Sequence, residues 1–156
     1  MSVIPPHVAD FWSAYPEADE SRFYEAFCFG DSEELADSLA KLVLSGAKRA
    51  TAGAVWSYEA RGQRLPRPSD LSVVTDWART PLCIIETLAV EIVPFSQVTA
   101  EFAAAEGEGD GSLAYWRAAH RAYFGRECAR LGRDFTEDMP VACERFRVMS
   151  RPPAAC

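Results

Sequence analysis

One helix stands out in the alternation of hydrophobic and polar residues, in the stretch DSEELADSLAKLVLSG. Its apolar residues recur at the spacing of one helix face: Leu35, Leu39, Leu42 and Val43. Asp31 and Glu34 have the spacing of a capping box, and Gly46 is a typical helix stop. We therefore predict a helix that ends at Gly46 and is followed by Lys48 and Thr51 on the way into a strand.

The rest of the pattern alternates helices with β-rich segments. Apolar residues at helical spacing after two prolines predict a short amphipathic helix ended by Pro16, with Val8, Phe11, Trp12 and Tyr15 on its apolar face. Strands are predicted for RFYEAFCFG, AVWSY, LSVVTDW, LCIIETLAVEIVPF and MPVACERFRVMS, and further helices for SQVTAEFAAAE and SLAYWRAAHRAYFGRECARL. The segment LCIIETLAVEIVPF is long enough to bend or to cross between sheets. Helices around a set of short strands indicate an α+β fold, with the strands curled into a small barrel.

Composition narrows the class of protein and the kind of partner. With 156 residues, of which 49% are hydrophobic, the chain has the size and apolar content of one folded domain. No apolar run is long enough to cross a membrane, and the start lacks a signal-peptide pattern, so we expect a cytoplasmic protein without a membrane partner. The net charge of −7 argues against long duplex DNA but leaves room for a local basic pocket that takes one nucleotide. The five cysteines lack CxxC spacing and suggest neither a zinc site nor a disulfide framework.

The segment from Gly46 to Thr51 has two interpretations. Its glycine ends a helix, whereas the glycines of a phosphate-binding P-loop precede one. In the first interpretation, Lys48 is an exposed residue that interacts favourably with the negative end of the helix dipole. In the second, Lys48 is partly desolvated, has a lowered pKa and takes a proton from Thr51, which then attacks a carbonyl carbon.

A glycine-rich acidic turn, EGEGDGS, precedes the last predicted helix and places Glu106, Glu108 and Asp110 at alternate positions. A calcium loop of the EF-hand type needs a glutamate at its twelfth position, where this chain has Arg117, so we expect no metal site. Asp110 or Ser112 can cap the helix that follows, and the acids complement its dipole. The alternating glycines suggest, in addition, a close approach of this backbone to a ligand.

Four further side chains have both a structural and a functional interpretation. Trp56 and Tyr58, on the predicted strand AVWSY, are either core residues or a stacking surface for a base. His120 lies on the apolar face of the last helix, which favours a buried histidine over a catalytic one. Arg117 can reach either a phosphate group or the acidic turn.

In this order, these segments resemble an ASCH domain, a relative of the PUA-like RNA-associated domains. The resemblance rests on SGAKRATAGAVWSYEARGQRLPRPSDLSVVTDW, PLCIIETLAVEIVPFSQV, FAAAEGEGDGSLAYWRAAHRAYF and MPVACERFRV. It implies a small PUA-like β-barrel flanked by helices over residues 27–150, with the G-x-K-x-x-T segment in a cleft. Residues 1–26 would form a helical extension packed on that domain, and residues 151–156 a tail.

The resemblance also implies an activity. Some small members resemble amidohydrolases that remove the acetyl group of N4-acetylcytidine with a lysine, a threonine three residues later and a glutamate from a later loop. These roles fall on Lys48 as the base, Thr51 as the nucleophile and Glu108 as the residue that orients and stabilises the intermediate. Further side chains would reach the substrate in the cleft: Arg49, Trp56, Tyr58, Glu106, Arg117 and His120. Glu106 is the alternative to Glu108, and no cofactor is implied.

Other members resemble ribonucleases, so three hypotheses stay open: hydrolysis of an N-acylated nucleoside or nucleobase, RNA binding without catalysis, and cleavage of single-stranded RNA. The expected partner is a nucleoside or a short RNA, and the oligomeric state is open. The chain departs from the small amidohydrolase-like members in its N-terminal segment, in a longer central loop and in Ser69, where a glycine is expected. These departures concern the entrance of the cleft and the size of the substrate.

Overall fold

Five strands form a mixed sheet within residues 3–150, the part of the chain that the structure, a computed structural model, describes. The strands are β1 (Phe23–Phe27), β2 (Ala50–Ala54), β3 (Leu71–Thr75), β4 (Pro81–Pro94) and β5 (Pro140–Ser150). The helices are α1 (Pro6–Ser13), α2 (Glu33–Ser45), α3 (Val55–Arg61), α4 (Ala100–Glu106) and α5 (Leu113–Arg130). Short 3₁₀ turns at Glu20–Arg22 and Phe95–Gln97 precede β1 and α4. This arrangement confirms the predicted α+β class.

The sheet is open, and its strands lie in the order β1-β3-β4-β5-β2. β1 pairs with β3 in parallel, whereas the other pairs of these strands are antiparallel. β1 and β2 are the two edges, so the strands do not close into a complete barrel. β4 is the longest strand, and its register with β5 shifts at Ile84/Ile85 and Thr87/Ala89, the kind of irregularity that bends a strand.

Helix α2 begins one residue later than its capping-box pattern predicts. Ser32 accepts a hydrogen bond from a backbone N–H of the first turn and caps the helix, so the predicted cap at Asp31 is wrong. The carboxylate of Asp31 instead accepts hydrogen bonds from Arg126 and Arg130 on α5. Gly46 ends the helix as predicted, in the left-handed conformation with φ of 87°.

The segment AVWSY is not a strand. β2 ends at Ala54, and Val55 begins helix α3, which carries both Trp56 and Tyr58. β-branched and aromatic residues favour strands, but tertiary packing overrides that preference here. The ring of Tyr58 folds back over Gly53 of β2, where any side chain would collide with it.

Three hydrophobic clusters hold the helices on the sheet. One cluster packs α1 on one face of the sheet, and a second packs α2 on the other face. Successive residues of a strand face opposite sides, so Val73 belongs to the cluster with α1 and Val74 to the cluster with α2. The third cluster joins α4 and α5 to the strands β2 and β5, and includes the buried rings of Phe95, Trp116 and Phe124. Within residues 3–150, no helix combines the length and the apolar character needed to cross a membrane.

Candidate functional site

The ammonium group of Lys48 is buried where the end of α2 meets the turn after α4, and only 1% of the residue is exposed. Its Nζ donates hydrogen bonds to the carbonyl oxygen of Ala50 at 2.8 Å, to Glu106 Oε1 at 2.8 Å and to Glu108 Oε2 at 2.9 Å. These three acceptors use all three N–H bonds of the ammonium group, which compensates for the loss of its hydration. We refer to Lys48, Glu106 and Glu108 as the ammonium clasp.

Glu106 is the permanently charged carboxylate of the ammonium clasp. Its Oε2 accepts hydrogen bonds from Trp116 Nε1 and from His120 Nε2, the latter at 3.2 Å. Burial by itself raises the pKa of Glu106, but Lys48 and His120 together hold it far below its ordinary value of 4.5. Glu106 is therefore ionised, and both of its oxygens are engaged by the protein.

His120 is a second buried cation beside the ammonium clasp. Its Nδ1 lies 2.9 Å from the backbone carbonyl oxygen of Trp116, and its Nε2 faces Glu106. Both ring nitrogens face acceptors, so both carry protons and the ring is an imidazolium. Burial alone lowers the pKa of His120, but the Glu106 carboxylate raises it by more, to above 6.5. The histidine is buried, as its place on the apolar helix face predicts, and its charge compensates that of Glu106.

The carboxylates of the ammonium clasp favour the charged form of Lys48. Burial lowers the pKa of Lys48, as the second interpretation of the sequence assumes, but Glu106 and Glu108 together raise it above 10.5. The prediction of a lowered pKa is therefore wrong, because two carboxylates outweigh desolvation. Glu108 has a raised pKa, since its burial exceeds the opposing effect of Lys48 and the charge of Glu106 adds to it. The side chain of Glu108 is 12% exposed, against 1% for Glu106, so Glu108 is the more accessible carboxyl.

The site has the donor atoms of a metal site but holds its own cation. Atoms of Glu106, Glu108 and His120 lie within 4.8 Å of one another, a spacing that could hold a metal ion. The ammonium group of Lys48 already bonds to both carboxylates, and the nitrogen of His120 that faces them carries a proton. A metal ion bound here would have to displace the ammonium group of Lys48 and remove the proton from the His120 ring nitrogen. In this structure Lys48 therefore supplies the positive charge between the two carboxylates.

A cavity of about 530 Å³ lies beside the ammonium clasp. Thr51 on β2 lines it together with Lys48 and Glu108, so the structure brings the three predicted catalytic residues to one cavity. Among the described residues, none forms a hydrogen bond with the Thr51 hydroxyl. Of the predicted substrate-binding residues, three line the same cavity: Tyr58, Glu106 and His120. Its volume is that of a pocket for a small organic molecule.

The other three predicted substrate-binding residues do not line this cavity. Trp56 packs against the cluster of α5, with the guanidinium of Arg133 3.6 Å from its ring centre. Arg117 is exposed and donates a hydrogen bond to a backbone carbonyl oxygen in the 3₁₀ turn before α4. Arg49 is exposed between two buried neighbours, and its side chain therefore faces away from them.

The glycines of EGEGDGS permit close packing within the protein. A side chain at Gly107 would collide with the backbone carbonyl of Ala47, and one at Gly109 would collide with the ring of Tyr115. Ser112 caps α5, as predicted. Two of the alternating glycines are thus explained by contacts within the chain, and Gly107 brings the turn against the residue that precedes Lys48.

Sequence reasoning missed several polar residues that line the cavity: Glu25, Ser57, Tyr123, Glu127 and Glu144. Ser57 and Tyr123 donate hydrogen bonds to the two oxygens of Glu127, at 2.6 and 2.9 Å. Glu144 is buried on β5 and accepts a hydrogen bond of 2.6 Å from Thr87. The available signal was a single glutamate directly after an apolar run in MPVACERF, but the sequence of that strand alone does not show which residue this glutamate faces.

Comparisons with known proteins agree with this architecture. A family model described as the ASCH domain matches residues 25–150. A crystal structure of an ASCH domain from Lactobacillus crispatus JV V101 is 38% identical, covers 91% of each chain and has a TM-score of 0.80. A protein structure from Enterococcus faecalis V583 is 32% identical over 92% of this chain and 88% of its own, with a TM-score of 0.81. A mutant of ZmASCH from Zymomonas mobilis, 13% identical, shares the fold over 81% of this chain and 69% of its own, with a TM-score of 0.50. No curated protein matches the sequence.

We expect Gly107→Ala to destabilise the protein more than Gly111→Ala. Both glycines have a positive φ, 67° and 76°, so alanine costs roughly 1–2 kcal/mol of left-handed strain at either position. At Gly107 the added methyl group also meets the backbone of Ala47, which adds about 1–3 kcal/mol, whereas nothing lies within 4 Å at Gly111. Urea unfolding measures both losses, and equal losses would contradict the close packing of this turn.

We expect the imidazole of His120 to stay doubly protonated above pH 6.5, its ordinary pKa. Because folding raises this pKa, the stability that His120 contributes is complete below about pH 6.5 and is lost as the pH rises through the folded-state value. NMR of the ring nitrogens measures the titration. In Glu106→Gln, which removes the carboxylate, the pKa of His120 should fall. An unchanged pKa would show that a group other than Glu106 raises it.

Proposed function

Because this chain belongs to the ASCH family and has its PUA-like fold, we propose that it is a hydrolase that removes an acyl group from an amide nitrogen of a nucleoside or nucleobase, such as N4-acetylcytidine. The observation that carries the proposal is the position of Thr51 on the wall of the cavity that the ammonium clasp also lines. A hydroxyl nucleophile and a carboxyl of raised pKa share a space large enough for a nucleoside.

The charges around the cavity favour a neutral substrate over a phosphodiester. Five glutamates line it: Glu25, Glu106, Glu108, Glu127 and Glu144. Each lining cation among residues 3–150 already has a polar partner: Lys48 and His120 have the glutamates of the ammonium clasp, Arg126 has Asp31, and Arg61 has Gln63. Binding of a phosphate group relies on such cations. The uncharged base and sugar of a nucleoside therefore suit this cavity better than RNA does.

Each residue of the predicted catalytic set has a definite role in this proposal. Thr51 is the nucleophile, and its attack on the amide carbonyl gives an acyl-threonine ester. Lys48 remains an ammonium ion and holds Glu108 in place at the cavity. Glu108, with its raised pKa, can carry a proton and donate a hydrogen bond to the carbonyl oxygen as negative charge develops on that oxygen.

We expect the purified protein to release cytidine and acetate from N4-acetylcytidine. Thr51→Val removes the hydroxyl and nearly keeps the shape, so it should abolish turnover, whereas Thr51→Ser keeps a hydroxyl and should stay active. Glu108→Met removes a donor and should lower kcat by about 10²–10³-fold, while Glu108→Gln keeps an N–H donor and should lose less. Chromatography of the nucleosides measures each rate, and Glu91→Gln, on an exposed position of β4, is the matched control.

The same preparations separate the other hypotheses. Full turnover by Thr51→Val would exclude Thr51 as the nucleophile. If the protein leaves N4-acetylcytidine intact but cleaves a labelled short RNA, it is a ribonuclease. If it retains that RNA without cleavage, in a salt-dependent manner, it is a binding module.

A further inference from the structure

We propose that Glu144 is the general base that takes the proton of the Thr51 hydroxyl when this hydroxyl attacks the amide. The inference rests on the proposed function and supplies the proton acceptor that Lys48, as an ammonium ion, cannot be. β2 and β5 pair in a register that sets Thr51 directly opposite Glu144, and both residues line the cavity. Residues directly opposite each other in an antiparallel pair face the same side, with Cβ atoms about 4.5–5.5 Å apart.

A third residue orients this carboxylate. Thr87 Oγ1 on β4 donates a hydrogen bond of 2.6 Å to Glu144 Oε2, and both residues are buried. Among the described residues, no donor reaches the second oxygen, Oε1. One oxygen of Glu144 is thus held by β4, and the other is available to the hydroxyl on β2. A nucleophile beside a base that a further group orients is the arrangement that activates a hydroxyl in hydrolases.

The groups around Glu144 bring the pKa of its carboxyl close to neutral pH. Burial, together with the carboxylates of Glu25 and Asp70, outweighs the lowering effect of the hydrogen bond from Thr87 and raises the pKa of Glu144 to about 7. The tyrosines that interact electrostatically with the same carboxylate are Tyr24 and Tyr58. A general base works best when its pKa lies near the working pH, because it is then both ionised and basic.

Glu108 also has a raised pKa but is less suited to this step. Its Oε2 already accepts the hydrogen bond of the Lys48 ammonium, and a Glu108 that carries a proton for the carbonyl oxygen cannot at the same time accept the proton of Thr51. Glu144 has no cationic partner among the described residues, since its hydrogen bond comes from the neutral hydroxyl of Thr87. The two glutamates therefore have different roles. Glu108 donates a hydrogen bond to the carbonyl oxygen, and Glu144 accepts the proton of the Thr51 hydroxyl.

The proton of Thr51 follows a closed cycle in this scheme. The hydroxyl oxygen forms a bond to the carbonyl carbon while its proton moves to Glu144, and the proton then passes to the departing nitrogen as the C–N bond breaks. Water next attacks the acyl-threonine ester and gives a proton to Glu144. The ester C–O bond breaks, and Glu144 returns that proton to Thr51, so the sum is amide plus water to amine plus carboxylic acid.

Amide turnover tests the assignment through its pH dependence. In the wild-type protein, kcat/KM should fall below pH 7 because the base becomes protonated. Glu144→Gln should lower kcat by about 10²–10⁴-fold, with KM nearly unchanged and the acid limb of the profile lost. Glu25→Gln removes a carboxylate that raises the pKa, so its acid limb should move to lower pH while turnover persists. The control Glu91→Gln should keep the wild-type profile.

Acylation of Thr51 by p-nitrophenyl acetate separates this inference from the choice of substrate. Peptide mass spectrometry should find an acetyl group on Thr51 in the wild type, at least about 10²-fold slower labelling in Glu144→Gln, and partial recovery in Glu144→Asp, which keeps a carboxylate. If labelling depends on Glu144 but no acylated nucleoside is hydrolysed, the proposed substrate is wrong and the base assignment stands. Labelling of Glu144→Gln at the wild-type rate would overturn the assignment, as would a wild-type Thr51 that is not labelled.

Discussion

The burial of one ammonium group constrains this structure more than any other feature. An unpaired ion in a protein interior costs several kcal/mol even after relaxation, so Lys48 can be buried only where acceptors meet all of its N–H bonds. Two of those acceptors, Glu106 and Glu108, lie 58 and 60 residues further along the chain. The end of α2 and the turn after α4 must therefore meet, and Gly107 permits the backbone contact with Ala47 that lets them do so.

The compensation of charge extends from the ammonium clasp into α5. Glu106 lies between Lys48 and His120 and accepts a hydrogen bond from Trp116, so its charge is matched on both sides. The pKa shifts of these groups favour their charged forms, whereas the raised pKa values of the carboxyls of Glu108 and Glu144 favour their neutral forms. The cavity thus has a charged part that holds the structure together and two carboxyls of raised pKa, of which Glu144 can exchange its proton near pH 7.

Much of the fold could be predicted from the sequence, because local patterns determine it. The spacing of apolar residues in α2 and the glycine at its end are such patterns, and the structure has both. Ser69 adopts a positive φ of 81°, in agreement with the glycine expected at that position. The segment AVWSY was misassigned because the packing of Tyr58 against Gly53, which depends on tertiary structure, overrides its strand preference.

The charge state and the partners of the site residues could not be predicted in the same way. Lys48, Thr51 and Glu108, which the resemblance singles out, line one cavity. The pKa of Lys48, however, depends on how many carboxylates surround it, and the sequence does not show that number. Glu144 escaped notice because its relation to Thr51 is a matter of strand register between two distant segments. Such a register depends on the whole sheet and has no signature in either strand alone.

The charge of Lys48 is the direct test of this view of the site. NMR of the Lys48 side chain through a pH titration gives its pKa in the folded protein, and Lys41, on the exposed side of α2, serves as a reference signal. We expect Lys48 to remain an ammonium ion beyond pH 10.5, because Glu106 and Glu108 hold its proton. A neutral amine near pH 7 would contradict the ammonium clasp and restore Lys48 as the base that activates Thr51.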